Sequence, residues 1–232
     1  MSSRVERSSE PAKFEDRKEA GGLLASLLAS YSKRSDVITL AIPRGGVPVA
    51  LEVGRILCLP VRPMVVEKVR LPMHEAWEVS HSIGAVASGG VCVLDSDRIH
   101  FLQLRQQDVE QAIALARNDQ AHKQELYGRG ASGLNIRDKI ALLIDDAVAS
   151  GATMQAAVQA LRENGPARIV IAAPVGSTDA IRRLSALVDR IVCPIQAAEG
   201  GAIHECYARF SSISDADAYM MMAGNIQRGS AA

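Results

Sequence analysis

The sequence feature that most restricts the possible folds is a short apolar run, Lys139–Ile144, that ends at two adjacent carboxylates, Asp145 and Asp146. A run of this length and composition is typical of a strand buried on both faces of a parallel sheet. It is followed by a loop, residues 147–152, with no side chain larger than valine, and then by an amphipathic helical pattern over Thr153–Asn164. The sequence therefore predicts a strand, a tight loop and a helix in succession, the repeating unit of α/β proteins.

The composition of this loop suits the binding of an anion. Small side chains let the backbone approach a ligand closely, and Gly151 can take dihedral angles that are closed to other residues. The unpaired amides at the start of the following helix, together with the helix dipole, attract an anion such as phosphate. Two carboxylates beside an anion site suit a ligand that carries hydroxyl groups or a cation next to its phosphate. The structural alternative is a strand end with two solvated aspartates and an ordinary turn.

A second candidate site follows another predicted buried strand, Val37–Ile42. Pro43, Arg44, Gly45 and Gly46 come next in the chain, so a guanidinium group and unobstructed backbone amides can converge on an anion. The alternative is a tight strand-to-helix turn with a surface arginine. In parallel sheets, ligands bind beyond the carboxyl ends of the strands, near the point where the strand order reverses, and both candidate loops follow strands in that sense.

The rest of the chain alternates between strand and helix patterns. The predicted elements are a helix over Asp16–Tyr31 with Asp16 as N-cap, a helix over Val47–Leu57, a strand over Val61–Glu67, a hairpin of Ile83–Ala87 and Val91–Leu94, a long helix within Arg98–Tyr127, a strand over Arg168–Val175, a helix over Asp179–Leu187 and a strand over Arg190–Ile195. This alternation predicts an α/β fold with a mainly parallel sheet flanked by helices, and a small hairpin and helical appendage. We expect a disordered segment at residues 1–13 and a single domain at 14–228.

Composition excludes several classes of protein. Lys plus Arg and Asp plus Glu both total 26, so the chain has no net charge that would favour nucleic acid or a membrane surface. Aromatic residues make up only 3% of the chain, which leaves few platforms for stacking single-stranded nucleic acid. The four cysteines are widely spaced and form no CxxC pair, so the sequence suggests neither a zinc site nor a disulfide framework. No apolar run has the length of a membrane span. We therefore expect a cytoplasmic protein that does not bind nucleic acid or membranes.

The segment from Leu143 to Thr153 resembles the phosphoribosyl pyrophosphate (PRPP) motif of the type I phosphoribosyltransferase family. In that motif, hydrophobic residues precede Asp-Asp and a short Ala-Ser/Thr-Gly-x-Thr loop. The DRxxAGxxLAxxL pattern that starts at Asp16 and the LAIPRGGVPVA run that starts at Leu40 are similar to stand-alone bacterial members. The resemblance implies the type I phosphoribosyltransferase fold, Mg²⁺ as cofactor and pairing into a homodimer.

The resemblance also implies roles for individual residues. Asp145 and Asp146 are then catalytic residues that hold the ribose hydroxyls directly or through magnesium, and Lys68 is a third catalytic residue, near the leaving pyrophosphate. The family's pyrophosphate loop follows the first core strand and often carries a non-proline cis peptide, which would fall near Arg44 or Gly45 here. The residues implied to bind pyrophosphate are Arg44, Gly45 and Gly46. Those implied to bind the 5-phosphate are Ala149, Ser150, Gly151, Ala152 and Thr153.

The activity implied by the resemblance is magnesium-dependent transfer of ribose 5-phosphate from PRPP to a nucleobase nitrogen, with release of pyrophosphate. Acceptor contacts are expected from variable segments, for which Ile83–Gly90 and Pro174–Thr178 are the candidates. The alternative is a regulatory protein that binds PRPP or a nucleotide without transferring it. A nucleotide-binding ATPase and a dinucleotide oxidoreductase are disfavoured, because the sequence has neither a GxxxxGK[ST] loop nor a GxGxxG turn after an early strand.

Overall fold

The structure is a computed structural model that describes residues 4–6, 14–71, 82–128, 135–197 and 203–229. The strands are β1 (Arg4–Glu6), β2 (Val37–Ala41), β3 (Val61–Pro63), β4 (Val66–Arg70), β5 (Ser82–Ala87), β6 (Cys92–Leu94), β7 (Ile140–Ile144), β8 (Ala147–Val148), β9 (Arg168–Ala172), β10 (Val175–Ser177), β11 (Arg190–Val192) and β12 (Ile195–Ala197). The helices are α1 (Arg17–Leu27), α2 (Gly46–Leu57), α3 (Ser96–Phe101), α4 (Gln106–Leu126), α5 (Ala152–Arg162), α6 (Thr178–Ser185) and α7 (Asp215–Gly229).

The central sheet has the strand order β1-β11-β9-β7-β2-β3, and every neighbouring pair is parallel. Strand order reverses between β2 and β7, because the chain continues from β2 outward to β3 on one side and from β7 outward to β9 and β11 on the other. The carboxyl ends of β2 and β7 are therefore adjacent at the switch point, where ligands bind in sheets of this kind. The predicted fold class is confirmed, and both candidate loops lie at this point.

The strands β7 and β2 are buried along their whole length, as their apolar composition predicts. Alternate residues of β7 face opposite layers of the core. Leu142 belongs to the cluster that includes Val53 of α2, and Leu143 belongs to the cluster that includes Met154 of α5. Helices thus cover both faces of the sheet and hold the carboxyl end of β7 in a fixed position.

Three strands of the central sheet continue into a second, smaller sheet. After breaks of two residues, β7, β9 and β11 are followed by β8, β10 and β12, which form a parallel three-stranded sheet. The runs 168–175 and 190–195, each predicted as one strand, are therefore divided between the two sheets. Asp145 and Asp146 form the break between β7 and β8, so both lie where the chain changes sheets.

The predicted appendage is an antiparallel sheet of β4, β5 and β6 with α3 and α4 beside it. The hairpin prediction is confirmed. The prediction of one strand over Val61–Glu67 is wrong, since the chain leaves the central sheet at Pro63 and enters the appendage at Val66. The last bond to the central sheet is donated by the Met64 amide to the carbonyl of Ala41 at 2.8 Å, and pairing with β5 begins at Val66. Strand β4 continues beyond the predicted end at Glu67 to Arg70, and residues 72–81 lie outside the described residues.

The long helix predicted within Arg98–Tyr127 is two helices, α3 and α4, separated at residues 102–105. Gln103 has a positive φ of 50°, a backbone conformation that interrupts a helix. The buried side of α4 is formed by Val109, Ala112 and Ala116. Leu115, by contrast, is 46% exposed.

The N-terminal helix begins as predicted, because the Asp16 side chain accepts hydrogen bonds from the amides of Lys18 and Glu19. The division into a disordered 1–13 and a domain at 14–228 stays a prediction. Within 1–13 the described part, Arg4–Glu6, pairs with β11 as a parallel edge strand. The open edge of β11 offers unpaired main-chain groups, which accounts for strand structure in a polar segment.

Candidate functional site

A cavity of about 480 Å³ opens at the switch point between β2 and β7. Both candidate loops and the appendage contribute to its wall. The residues that line it are Arg17, Ile42, Pro43, Arg44, Gly45, Val66, Glu67, Lys68, Arg70, Lys123, Asp145, Asp146, Ala147, Val148, Ala149, Ser150, Gly151, Thr153, Met154, Phe210, Ser212 and Ile213. Most of the predicted site residues therefore meet in one cavity, although their sequence positions run from 44 to 153.

The two aspartates are packed tightly against the glycine loop after β2. A β-carbon on Gly45 would lie 2.1 Å from Oδ2 of Asp146, and one on Gly46 would lie 2.8 Å from Cα of Asp145. Because real β-carbons do not approach other atoms so closely, only glycine fits at these two positions. Gly46 is not among the cavity-lining residues, and its contact with Asp145 places it behind the aspartate pair.

The electrostatic environment of Asp145 is unusual for a carboxyl group. Burial raises the pKa of Asp145 well above its ordinary value, and the neighbouring charge of Asp146 adds to the rise. The positive charge of Lys68 opposes the rise. The amide of Asp146 donates a hydrogen bond of 2.8 Å to Oδ1 of Asp145, which fixes the direction of that carboxyl group. A cation or hydroxyl donor that enters the cavity would relieve this concentration of negative charge.

The loop after the aspartates has the geometry expected of an anion-binding turn. Gly151 has a φ of 82°, in the left-handed region that favours glycine, and α5 begins at the next residue. The loop is fixed from behind by two hydrogen bonds to its carbonyl oxygens. Ser177 donates to the carbonyl of Ala149 at 2.7 Å, and Arg183 donates to that of Ser150 at 3.0 Å. The start of α5 thus lies at the cavity, where its amides and dipole favour an anion.

Two cationic side chains line the cavity beside this loop. The peptide bond between Pro43 and Arg44 is cis, so the expected non-proline cis peptide near Arg44 is present. Lys68 extends from β4 into the cavity, close enough to influence the charge of Asp145. Arg44 follows β2 and Lys68 lies on β4 of the appendage, and both line the cavity where an anionic group could bind.

Arg17 is a cavity residue to which the sequence analysis assigned no chemistry. Its Nε donates to Oδ2 of Asp146 at 2.7 Å, and the two side chains are only 11% and 13% exposed. A second nitrogen donates to the carbonyl of Ser211 at 2.8 Å, and the guanidinium lies 4.0 Å from the centre of the Phe210 ring. Arg17 therefore joins the second aspartate to the segment that follows Tyr207. The contact spans 129 positions of sequence, and the only local signal is the position of Arg17 directly after a helix N-cap.

A second ion-pair network lies at the cavity and joins the appendage to the start of α7. Glu67 is only 4% exposed, and it accepts hydrogen bonds from Lys123 at 2.5 Å and Arg70 at 2.9 Å. Lys123 also lies 3.8 Å from Asp215 at the start of α7. Burial alone would raise the pKa of Glu67, but the bonds and charges of Lys123 and Arg70 outweigh it, so the pKa is lowered. The long helix α4 thus contributes Lys123 to the site.

Three aromatic rings support the wall beside Arg17. Tyr207 stacks on Phe210 with ring centres 4.8 Å apart. The centre of the Phe14 ring lies 5.5 Å from the centre of the Tyr207 ring. The Tyr207 hydroxyl donates to the carbonyl of Asp146 at 2.7 Å. Main-chain bonds join residues 14–15 to 206–209. The start of the domain and its C-terminal segment are therefore held together against the second aspartate.

Placement of the predicted site residues is uneven. Asp145, Asp146, Lys68 and the predicted phosphate-binding residues other than Gly46 and Ala152 line the cavity. The segments Ile83–Gly90 and Pro174–Thr178, for which acceptor contacts are predicted, are not among the residues that line this cavity, and the acceptor contacts stay a prediction. Within β5 the side chains of Ile83 and Ala85 are buried. Phe210, Ser212 and Ile213, for which no role is predicted from the sequence, are part of the cavity wall.

The family of the chain follows from comparison with known proteins. A family model described as the phosphoribosyl transferase domain matches residues 14–207. The chain belongs to this family. Two relatives from Mycobacterium tuberculosis, strains CDC 1551 and H37Rv, carry provisional phosphoribosyl transferase names and are 33% identical over 202 residues. The aligned region is 87% of this chain but 44% of each relative, so the chain spans less than half the length of these proteins.

Solved structures share the fold of the chain. A protein from Thermus thermophilus is 32% identical, with a TM-score of 0.69 over 91% of this chain and 98% of that chain. An Aquifex aeolicus protein shares the fold at 11% identity, with a TM-score of 0.52 over 86% of this chain and 90% of that chain. None of the helices in the described part of this family member has both the length and the apolar character needed to cross a membrane.

Proposed function

We propose that this protein is a magnesium-dependent phosphoribosyltransferase that transfers ribose 5-phosphate from PRPP to a nucleobase nitrogen and releases pyrophosphate. The observation that supports this proposal most strongly is the shared cavity. Asp145 and Asp146 line it together with the turn at residues 149–153 and with Arg44 and Lys68. A ligand with hydroxyl groups between two phosphoryl groups matches this order of carboxylates and anion sites.

Each end of PRPP has a proposed partner. The 5-phosphate binds the turn at residues 149–153, where the start of α5 and the hydroxyls of Ser150 and Thr153 favour an anion. The ribose hydroxyls donate to Asp145 and Asp146. The pyrophosphate lies against the Arg44 loop, whose Gly45 leaves no side chain between the ligand and the aspartates. Lys68 offsets the negative charge that grows on the leaving pyrophosphate.

The donor set fits Mg²⁺ that arrives with its substrate. Among the described residues there is no cluster of three or more His, Cys, Asp or Glu that could hold a metal ion. One oxygen of Asp146 is already bonded to Arg17. Mg²⁺ is commonly held by one or two carboxylates together with substrate phosphates, so Asp145 and the free oxygen of Asp146 suffice, directly or through ribose hydroxyls. When bound, Mg²⁺ would neutralise charge on the pyrophosphate.

The residues of the chain hold the substrate in position and stabilise the charge that develops during the reaction. As the bond from ribose C1 to the pyrophosphate oxygen breaks, the sugar becomes positively charged, and the carboxylates of Asp145 and Asp146 stabilise it. The acceptor nitrogen forms the new bond to C1 and releases its proton to solvent, and the electron pair of the broken bond leaves with the pyrophosphate. Anchoring at both phosphoryl ends holds C1 in place for this attack.

Pyrophosphate release tests the proposal against its rival, a PRPP-binding regulator without transfer activity. The protein is mixed with PRPP, Mg²⁺ and each of a panel of nucleobases, and pyrophosphate is measured. The proposal expects base-dependent release that is lost when Mg²⁺ is removed with a chelator. Tight PRPP binding without release for any base would identify the regulator instead. The expected homodimer is checked on the same sample by light scattering.

A further inference from the structure

We propose that the acceptor of this enzyme is an uncharged heteroaromatic base and not a base that carries a carboxylate. The inference rests on the proposed function, because it concerns the part of the cavity that PRPP leaves open. We call this part the acceptor wall. It is defined by eight of the lining residues that have no proposed role toward PRPP, those of α1, β4, α4 and the segment after Tyr207: Arg17, Val66, Glu67, Arg70, Lys123, Phe210, Ser212 and Ile213.

Every cation of the acceptor wall is already paired with a carboxylate of the protein. Arg17 is bonded to Asp146 at 2.7 Å, with both side chains nearly buried. Its other contacts, to the Ser211 carbonyl and the Phe210 ring, hold the guanidinium in this position. Arg17 is therefore committed to the second aspartate and is not placed to receive a carboxylate from a ligand.

Arg70 and Lys123 are paired in the same way. Both donate to the carboxylate of Glu67, at 2.9 and 2.5 Å, and Lys123 also faces Asp215. An anionic acceptor would have to share Lys123 with Glu67 or take it from Glu67 by exchange. Because Glu67 is only 4% exposed, that exchange would weaken the neutralisation of a buried carboxylate. The three cations of the wall and their partners Asp146, Glu67 and Asp215 balance, three positive charges against three negative ones.

Two cations of the cavity remain outside the acceptor wall. Within the described chain, Arg44 and Lys68 are the cavity cations with no carboxylate in ion-pair distance, and both have a proposed role toward pyrophosphate. The rest of the acceptor wall is an aromatic ring, a hydroxyl and two aliphatic side chains, from Phe210, Ser212, Ile213 and Val66. Such a surface suits a planar ring with neutral hydrogen-bonding groups.

The first experiment compares the two classes of acceptor with the wild-type protein. Binding of hypoxanthine, adenine and uracil, and of the carboxylated bases orotate and nicotinate, is measured by saturation-transfer NMR with PRPP and Mg²⁺ present, and pyrophosphate is measured in parallel. We expect at least one neutral base to bind about tenfold or more tightly than either carboxylated base. Equal or tighter binding of a carboxylated base, or no binding of any neutral base, would overturn the inference.

The parallel readout separates this inference from the proposed function. Pyrophosphate release with a carboxylated base would leave the transferase proposal intact and refute only the choice of acceptor. Binding of a neutral base without any release would support the acceptor class and count against transfer activity.

A second experiment changes the charge of the wall. Glu67→Gln removes the carboxylate that occupies Lys123 and Arg70, so we expect the affinity for orotate to rise about tenfold while neutral bases change by less than about threefold. Glu52→Gln is the matched control, because Glu52 pairs with Arg55 on α2 and does not line the cavity. A folded Glu67→Gln protein with no increased orotate affinity would contradict the role of pairing. If that variant does not fold, the wild-type comparison decides alone.

Discussion

The two sides of the cavity are built in different ways. The phosphate side consists of the turn at residues 149–153 and the Gly45 loop, two short stretches of sequence whose main-chain groups and small residues are proposed to bind phosphate. The acceptor wall is formed by side chains from α1, β4, α4 and the segment after Tyr207, and buried ion pairs hold it together. We therefore expect PRPP binding to depend on the shape of the phosphate side, and acceptor binding to depend on charge pairing in the acceptor wall.

The largest predicted effect is steric and falls on the phosphate side. In Gly45→Ala the new methyl group would overlap the Asp146 carboxylate, so the loop or the carboxylate must move. We expect PRPP affinity to fall about a hundredfold, which corresponds to about 2.7 kcal/mol. Calorimetry with PRPP and Mg²⁺ measures this loss.

Gly22→Ala is the control for Gly45→Ala, because a β-carbon on Gly22 meets no atom within 4 Å. Gly22 lies inside α1, so alanine there should leave PRPP affinity unchanged and stabilise the protein by about 0.5–1 kcal/mol. Equal PRPP affinities for the two variants would show that the close packing of Gly45 and Asp146 is irrelevant to binding.

The next effect concerns charge pairing in the acceptor wall. Arg17→Gln leaves Asp146 without its partner, and we expect unfolding free energy to fall by about 2 kcal/mol, less than for a fully buried pair because the cavity admits water. Orthophosphate affinity at the 149–153 turn, followed by NMR, should stay within about twofold of wild type. A large loss of orthophosphate binding would mean that the two sides of the cavity are not independent.

Arg209→Gln is the matched control for Arg17→Gln. Arg209 joins the same two segments through Glu15 and Asp16, but its side chain is 65% exposed and does not touch Asp146. Its loss should change unfolding free energy by less than about 0.5 kcal/mol. An equal destabilisation by both variants would assign the effect to the junction of the segments and not to the aspartate.

The dependence of stability on pH tests whether the ion pairs of Glu67 stabilise the acceptor wall. The pKa of Glu67 is lowered in the folded protein, so its ion pairs stabilise fully above the unfolded-state pKa of about 4.5 and lose this effect as pH falls through the folded-state pKa. Glu67→Gln should therefore lower unfolding free energy by about 1.5 kcal/mol at pH 7, and the difference from wild type should shrink below pH of about 4.5. Urea unfolding across this range tests it, and a constant difference would exclude the ion pairs as its cause.

The smallest effect is expected for Tyr207→Phe. The variant removes the hydroxyl that donates to the Asp146 carbonyl but keeps the stacked ring. We expect a loss of about 1 kcal/mol in unfolding free energy, the usual size for one hydrogen bond. Thermal unfolding provides the measurement. A loss of unfolding free energy as large as that of Arg17→Gln would mean that the Tyr207 hydroxyl stabilises the acceptor wall as much as the Arg17 ion pair does.

The phosphate side could be predicted from the sequence because each of its signals is local. The apolar run of β7 and the small loop containing Gly151 lie within a few residues of one another, and the Asp16 N-cap of α1 is equally local. Buried strands, tight turns and helix starts are determined largely by neighbouring residues, so their positions were right to within a few residues.

The acceptor wall could not be predicted, because its contacts join distant parts of the chain. Arg17 meets Asp146 across 129 positions, and Lys123 meets Glu67 across 56. Contacts between residues so far apart leave no periodic pattern in the sequence. The division of 61–67 at Pro63 also depends on where the appendage docks, and it determines that Glu67 and Lys68 face the cavity.

The most direct test of the central claim, that carboxylates and an anion-binding turn hold PRPP together, is calorimetry on the variant that carries both Asp145→Asn and Asp146→Asn. Wild type should bind PRPP in the presence of Mg²⁺, and the double variant should bind at least about tenfold more weakly, a difference of about 1.4 kcal/mol. Thermal unfolding of the same samples confirms that both are folded. Unchanged affinity in a folded double variant would contradict the account.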